Sequence, residues 1–323
     1  MILLLTHSGD HFTIDRVCGH LAEMGCDFFR VNTDLMPVTY PMSAEFSHSS
    51  PSKLSLFLEE SVVDLSPEKI RSVWARRLWP ARFPEECPPE LITQCHPAAA
   101  ALVTESLELM SGAYWINPLQ QGKKAESKLL QLSLANRIGL PVPETLVTNH
   151  PEKIRDFYEN HSGQIITKLL VPQVQSMEAH PNFSYTCRIS EEHLEHLDQV
   201  RGMPQIFQPF ISKAREYRVV VLGERFFTGS LEIPLTGPLA LDWRQATEED
   251  DLVWSEDELP AGLQDKALQM MEELGLVFGV FDFAETPEGE FYFFEVNQAG
   301  EWGMLEHYLD LPISRAIAEE LSS

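Results

Sequence analysis

The sequence predicts a mixed fold, an α/β layer at the N-terminus followed by an α+β half, and three observations carry this expectation. MILLLTHSGD runs into TIDRVCGHLAEMGCDFFRVNTD, which reads as a buried strand, a polar turn, an amphipathic helix ending near Gly25 and a second strand at FFRVN. Further on, AREYRVVVLGERFFTGSLEI predicts a hairpin around Gly223, and the apolar runs LVFGVFDFA (276–284) and FYFFEVN (291–297) flank a turn at ETPEGE. A chain of 323 residues, 44% of them apolar, is long enough for two or three subdomains with cores of their own.

Between these landmarks the elements follow in order. KLSLFLEESVVDLS alternates as a hairpin does, and SVWARRLWPARFP carries Trp74, Arg76, Arg77, Trp79 and Arg82, where cation–aromatic packing and ligand binding are equally good readings. A helix is predicted from about Pro97 to Met110, and Asn117-Pro118 with Gly122 marks a domain junction. The helix of ESKLLQLSLANRIG ends at Gly139, PVPETLVT forms a short strand and PEKIRDFYENH a helix. QIITKLL is a strand with an interior lysine, and QIFQPFIS is a strand that becomes a linker. GLQDKALQMMEELG and PISRAIAEEL are helices on either side of the last hairpin.

Composition excludes several functions. Lys and Arg number 24 against 49 Asp and Glu, and the net charge of −25 opposes attraction to nucleic acid or an anionic membrane. The five cysteines show no C-x-x-C spacing, so neither a zinc knuckle nor a disulfide framework is indicated; reduced thiols and a cytoplasmic location are expected. The apolar start lacks a basic n-region, and no run approaches the roughly 20 apolar residues that span a bilayer. The first turn, HSGDH, lacks the G-x-G-x-x-G of a dinucleotide site.

The last hairpin carries the chemistry. The strand period of two sets Glu295 and Asn297 on one face, with Phe294 and Val296 on the other. A two-residue loop at Glu288-Gly289 sets Pro287 against Glu290 and, counting back along both strands, Asp282 opposite Glu295. Two opposed carboxylates repel, and a hard divalent cation, which takes oxygen ligands and shares them with phosphates, relieves the conflict. Polar residues at a solvated strand edge are the plainer alternative. Lys168, flanked by Ile and Leu, needs an anion if buried, or else lies on an exposed strand face.

Lys128 on a helix, Lys168 on a strand, the strand-to-linker FQPFI, EYRVVVLG, and Asp282 with Glu295-x-Asn297 together resemble the ATP-grasp superfamily over residues 115 to 323. More narrowly, SKLLQLSLANRIGLPVPETLVTN, ITKLL, ALDWR, FEVNQAGEWG and PISRAIAEEL are similar to the microviridin-type peptide ligases, the graspetide synthetases, with a weaker match through LTHSGD, FRVNTD and VWARR. The resemblance implies an ATP-grasp fold with an N-terminal Rossmann-like (pre-ATP-grasp) domain at 1–117, a central subdomain at 118–205 and a C-terminal subdomain at 206–323.

It also implies an ADP-forming ligase that activates carboxylates of a precursor peptide as acyl-phosphates and closes ester or amide rings; the alternative is a ligase adding a free amino acid to a small molecule or protein tail. By the same resemblance Lys128 and Lys168 bind the phosphates of ATP, and Gln208, Pro209, Phe210 and Ile211 contact adenine. Asp282, Glu295 and Asn297 hold Mg²⁺, and Arg218 and Arg244 meet the transferred phosphoryl or the acceptor carboxylate, a structural ion pair being the other reading of Arg244. A homodimer is implied as well. Glu191, Glu192 and Glu195, in SEEHLEHLDQ, are the candidates for a basic residue of the precursor's leader, against the reading of a solvated helix face. Two departures from the superfamily stand out: no glycine in the loop VPQVQSMEAHPNFSYTC after Lys168, and Gln298 where proline is common.

Overall fold

The computed structural model describes residues 1–171, 186–247, 250 and 252–323, so most of the glycine-free loop after Lys168 lies outside the described residues. The N-terminal part contains β1 (Ile2–Thr6), α1 (Thr13–Glu23), β2 (Phe28–Asn32), β3 (Met42–Glu45), β4 (Lys53–Phe57), β5 (Val62–Asp64), β6 (Ser72–Ala75), α2 (Pro89–Glu108) and β7 (Tyr114–Ile116). Its main sheet is parallel, in the order β2-β1-β6-β7, and β3-β4-β5 form an antiparallel side sheet. Parallel strands are covered on both faces, which is why MILLL is an unbroken apolar run rather than an alternating one. Helix α2 starts eight residues earlier than the expected Pro97, which lies inside it; a missing N–H there removes one bond without ending the helix.

Next come α3 (Leu119–Ala125), α4 (Lys128–Ile138), β8 (Leu146–Thr148), α5 (Pro151–Asn160), β9 (Ile165–Leu169), β10 (Cys187–Arg188), α6 (Glu191–Glu195) and β11 (Gln205–Pro209). The four strands form an antiparallel sheet in the order β10-β9-β11-β8. Ser127 caps α4 by accepting from the Leu130 N–H, and Gly139 ends it in the left-handed conformation.

The rest comprises β12 (Arg215–Leu222), β13 (Arg225–Glu232), α7 (Pro238–Leu241), β14 (Trp254–Glu256), α8 (Ala261–Leu274), β15 (Phe278–Glu285), β16 (Phe291–Asn297), α9 (Gly303–Leu309) and α10 (Ile313–Ser322). An antiparallel sheet runs β14-β13-β12-β15-β16. One face buries Val219, Val221, Phe281, Phe283 and Phe293 against α8 and against Leu134 and Ala135 of α4, so α4 packs with this sheet rather than with the central one. Helix α10 returns to the N-terminal part and packs on α1 and β6.

Asn117 is the peg of the junction. Its Nδ2 donates to the carbonyls of Phe278 and Gln298 at 2.7 and 2.9 Å, and its Oδ1 accepts from the N–H groups of Val277 and Phe278, both at 2.8 Å. A buried amide is satisfied only by such a full set, so the first domain is keyed to the ends of β15 and β16.

Candidate active site

The antiparallel register places three charged residues in one row across adjacent strands: Arg218 opposite Asp282, and Asp282 opposite Glu295. The predicted pairing of the two carboxylates is therefore present, but by another route. The turn has three residues, 287–289, closed by Thr286 N–H to the Glu290 carbonyl at 2.8 Å, with Gly289 at φ +83°. A bulge between Asp282 and Phe283 sets two β16 residues against one and shifts the register back. It also corrects the expected facing of Phe294: Phe293 and Val296 are in the core, and Phe294 lies beside the site with the Lys168 Nζ 4.5 Å from its ring centre.

Each carboxylate meets a cation. Arg218 Nη1 donates to Asp282 at 2.9 Å, and Lys128, at the first turn of α4, forms a close ion contact with Glu295. Burial pushes the Glu295 carboxyl up, but Lys128, Lys168 and Arg244 outweigh it and hold the group below the usual carboxylate range. Burial dominates at Asp282, which is raised despite Arg218, with Glu295 and Glu216 adding to the rise. Burial likewise lowers the Lys168 ammonium, although Glu295 opposes it. Such opposed shifts in adjacent groups make these residues candidates for a functional site.

The donor set fits Mg²⁺. Asp282 and Glu295 face each other across the hairpin and Asn297 follows two residues on, all oxygen donors, although among the described residues no group of three or more His, Cys, Asp and Glu could by itself hold a metal ion. Mg²⁺ suits this arrangement because it takes one or two carboxylates and completes its shell with phosphate oxygen and water. Asn297 is exposed, and its Oδ1 accepts from the Ala299 N–H at 3.0 Å. The adenine candidates sit at the end of β11. Gln208 is buried, its Nε2 donates to Thr145 Oγ1 at 2.9 Å, and its Oε1 has no partner, leaving an acceptor suited to an amino group of a ligand. Phe210 carries the Arg188 guanidinium 3.9 Å from its ring centre.

Arg244 is held in a two-point contact by buried Asp242, Nε to Oδ1 at 2.7 Å and Nη2 to Oδ2 at 2.6 Å. This is the ion pair weighed from sequence, yet its charge also reaches Glu295 and Asp282. The structure does not bring Glu191, Glu192 and Glu195 to the row; they are exposed on the short helix α6.

Several neighbours had no role in the sequence reading. Lys213 is buried and donates to Glu216 at 2.5 Å and to the Leu241 carbonyl at 3.1 Å. Glu301 accepts from Arg76 at 2.6 Å and Arg77 at 3.1 Å, while its own carbonyl takes the Arg218 Nε–H at 2.7 Å. The basic dipeptide was visible in the sequence, but its partner lies more than two hundred residues away.

The row of Arg, Asp and Glu on the C-terminal antiparallel sheet is approached by a lysine from helix α4 and another from the central sheet, the arrangement expected of an ATP-grasp ligase. Residues 1–123 match the family model described as the MvdD pre-ATP grasp domain. The structure superposes on the macrocyclase MdnB from Microcystis aeruginosa MRC with a TM-score of 0.84, 38% identity and coverage of 99% of this chain and 98% of that one. A RiPP-associated ATP-grasp ligase from Chryseobacterium gregarium, solved with ADP and a leader and core peptide, gives 0.89 and 28% over 99% and 96%. The α-aminoadipate–LysW ligase LysX of Sulfurisphaera tokodaii is 25% identical over 209 residues, 63% of this chain and 70% of its own. The chain belongs to the ATP-grasp peptide ligase family that includes MdnB.

Proposed function

We propose that this protein uses Mg²⁺ and ATP to activate Asp or Glu side chains of a ribosomally made precursor peptide as acyl-phosphates. A Ser or Thr hydroxyl or a Lys amine of the same peptide then closes an ester or amide ring. The observation that carries the reading is the Arg218–Asp282–Glu295 row with its two lysines, on a chain similar to a macrocyclase over 99% of its length. The working units are residues 1–117, 118–205 and 206–323.

Lys128 and Lys168 hold the nucleotide phosphates, and Gln208, Pro209, Phe210 and Ile211 hold the adenine. Asp282, Glu295 and Asn297 hold Mg²⁺, which when bound neutralises phosphate oxygens. Arg218 and Arg244 orient the substrate carboxylate against the transferred phosphoryl, a task suited to fixed guanidinium forks. No protein nucleophile is needed, because ATP brings the reactive group and the protein supplies position and charge. Keeping acceptor and acyl group on one peptide removes much of the entropic cost of ring closure.

Glu191, Glu192 and Glu195 on α6 are proposed to pair with a basic residue of the leader segment. Among the described residues no helix is long and apolar enough to cross a membrane. A cytoplasmic location and a homodimer belong to the same proposal. A dimer mass in light scattering supports that state, and a monomer mass removes it.

The test is ADP release with Mg²⁺-ATP, with and without a peptide carrying a leader and a core of Thr, Lys, Asp and Glu, followed by mass spectrometry. Peptide-dependent ADP and successive losses of water support the reading. The similarity to LysX favours a second one, ligation of a free amino acid, which appears instead as a gain in mass.

A further inference from the structure

The N-terminal sheet runs β2-β1-β6-β7, so the chain leaves β1 to one side and β6 lies on the other. In open α/β sheets, ligands bind beyond the carboxyl ends of the strands at this reversal of order. His7 follows β1 directly, and Arg76 and Arg77 follow β6. Trp79 stacks flat on His7, with ring centres 3.7 Å apart and planes within 1°. His7 is only 4% exposed, and neither of its ring nitrogens has a hydrogen-bond partner. Buried polar atoms in folded proteins are nearly always paired, so an orphaned imidazole at a ligand-binding crevice points to a ligand.

We propose, resting on the ligase reading above, that this crevice receives the acceptor side chain of the peptide and that His7 takes its proton during ring closure. The crevice and the phosphoryl-handling row share a wall. Arg76 and Arg77 grip the Glu301 carboxylate, and the carbonyl of the same residue holds Arg218, which reaches Asp282. The carboxylates of the row and its wall are engaged by cations, Asp282 by Arg218, Glu295 by Lys128, Glu301 by Arg76 and Arg77, and Glu216 by Lys213, while Asp10 and Asp34, nearer to His7, accept hydrogen bonds from Thr6 and Ser8. Among the described residues the His7 ring nitrogens have no hydrogen-bond partner, while Arg30 Nη2 donates to the His7 backbone carbonyl at 3.3 Å.

Burial lowers the His7 pKa below the ordinary histidine value; Asp10 and Asp34 oppose the shift, and Arg77 and Arg76 add to it. A lowered pKa favours the neutral ring, the form that can accept a proton. In the free chain its nitrogens are covered. The assignment requires Trp79 to move aside when the acceptor arrives, breaking its two hydrogen bonds to Thr33, on a segment from Arg76 to Pro88 that has no helix or strand.

In the step itself the acceptor hydroxyl oxygen bonds to the acyl carbon while the bond from that carbon to the phosphate oxygen breaks, its electron pair leaving with phosphate. The hydroxyl proton passes to a His7 nitrogen and then to the released phosphate, which restores the neutral ring.

The experiment uses the full chain, Mg²⁺-ATP, a leader-core peptide with Thr and Glu, and hydroxylamine, which traps an acyl-phosphate as hydroxamate without needing a base. In His7→Asn, ring closure should fall by roughly 10²-fold, the usual worth of a general base, while hydroxamate falls far less, so their ratio shifts by about tenfold or more. His7→Phe, which keeps the stack on Trp79, should behave alike and covers the case in which the Asn variant does not fold. Without ATP, NMR should show the His7 ring titrating below the ordinary histidine range and shifting when peptide is added. Parallel loss of both products, undiminished ring closure in either variant, or ring signals unmoved by saturating peptide would overturn the assignment. Failure of the wild type to make either product would instead remove the ligase reading, and this inference with it.

Discussion

Lys128 and Glu295, 167 residues apart in the chain, meet in an ion contact that joins the start of α4 to the end of β16. The contact places a helix-borne cation against a carboxylate of the last hairpin. Phosphate and Mg²⁺ would compete for these same two groups.

Replacing Glu295 with Gln keeps the shape of the side chain and removes its charge. Peptide-dependent ADP release should fall by about 10²-fold or more, the scale of losing a principal electrostatic contact. A Mg²⁺ titration of the residual rate should show a weaker apparent affinity; an unchanged Mg²⁺ requirement would place the metal elsewhere.

For Lys128→Ala and Lys168→Met, calorimetric titration with Mg²⁺-ATP should show binding weakened by about tenfold each, about 1.4 kcal/mol. Wild-type affinity in either variant would take that lysine out of the nucleotide site.

Asp242 is set below the usual carboxylate range even though burial pushes it up, because Arg244 and the Thr186 N–H outweigh burial. A carboxyl depressed in the folded state adds stability above its unfolded value, near 3.8, and loses it as pH falls further. The melting temperature of the wild type should therefore drop more steeply below about pH 4 than that of Asp242→Asn. Equal slopes would leave the pair without a stabilising role.

Asn117→Ala should destabilise the chain by about 3 kcal/mol, since it strands buried N–H and C=O groups at the junction. Urea unfolding measures it, and a loss below about 1 kcal/mol, the worth of one ordinary hydrogen bond, would mean the junction is held by packing instead.

At Gly300 an added Cβ would lie 2.5 Å from the Cβ of Val280, which is fully buried in β15. Gly300→Ala should cost about 1–3 kcal/mol and, by displacing the loop that carries Glu301, lower kcat more than the apparent affinity for ATP. A variant with wild-type stability and kcat would show that the loop yields freely.

Much of this was legible in one dimension. Element type followed from period and punctuation: the glycines at 139, 223, 275 and 289 all adopt positive φ at the ends or turns where the sequence placed them. Parity counting placed Asp282 against Glu295, yet a three-residue turn and a bulge were needed to reach that register. A bulge depends on the packing of Phe293 and Val296 beneath it, which no local pattern encodes.

What the sequence alone determined is the alternation of strands and helices, the order of the ATP-grasp motifs and the residue types of the last hairpin, because these depend on near neighbours and on chemistry carried by each side chain. The tertiary structure decided which cation meets which anion. Arg76 with Glu301, Lys128 with Glu295 and the unpartnered His7 beneath Trp79 all join segments far apart in the chain. Only closure of the sheets against one another brings such groups within reach, and the strength of a charge pair depends on the burial that this closure creates.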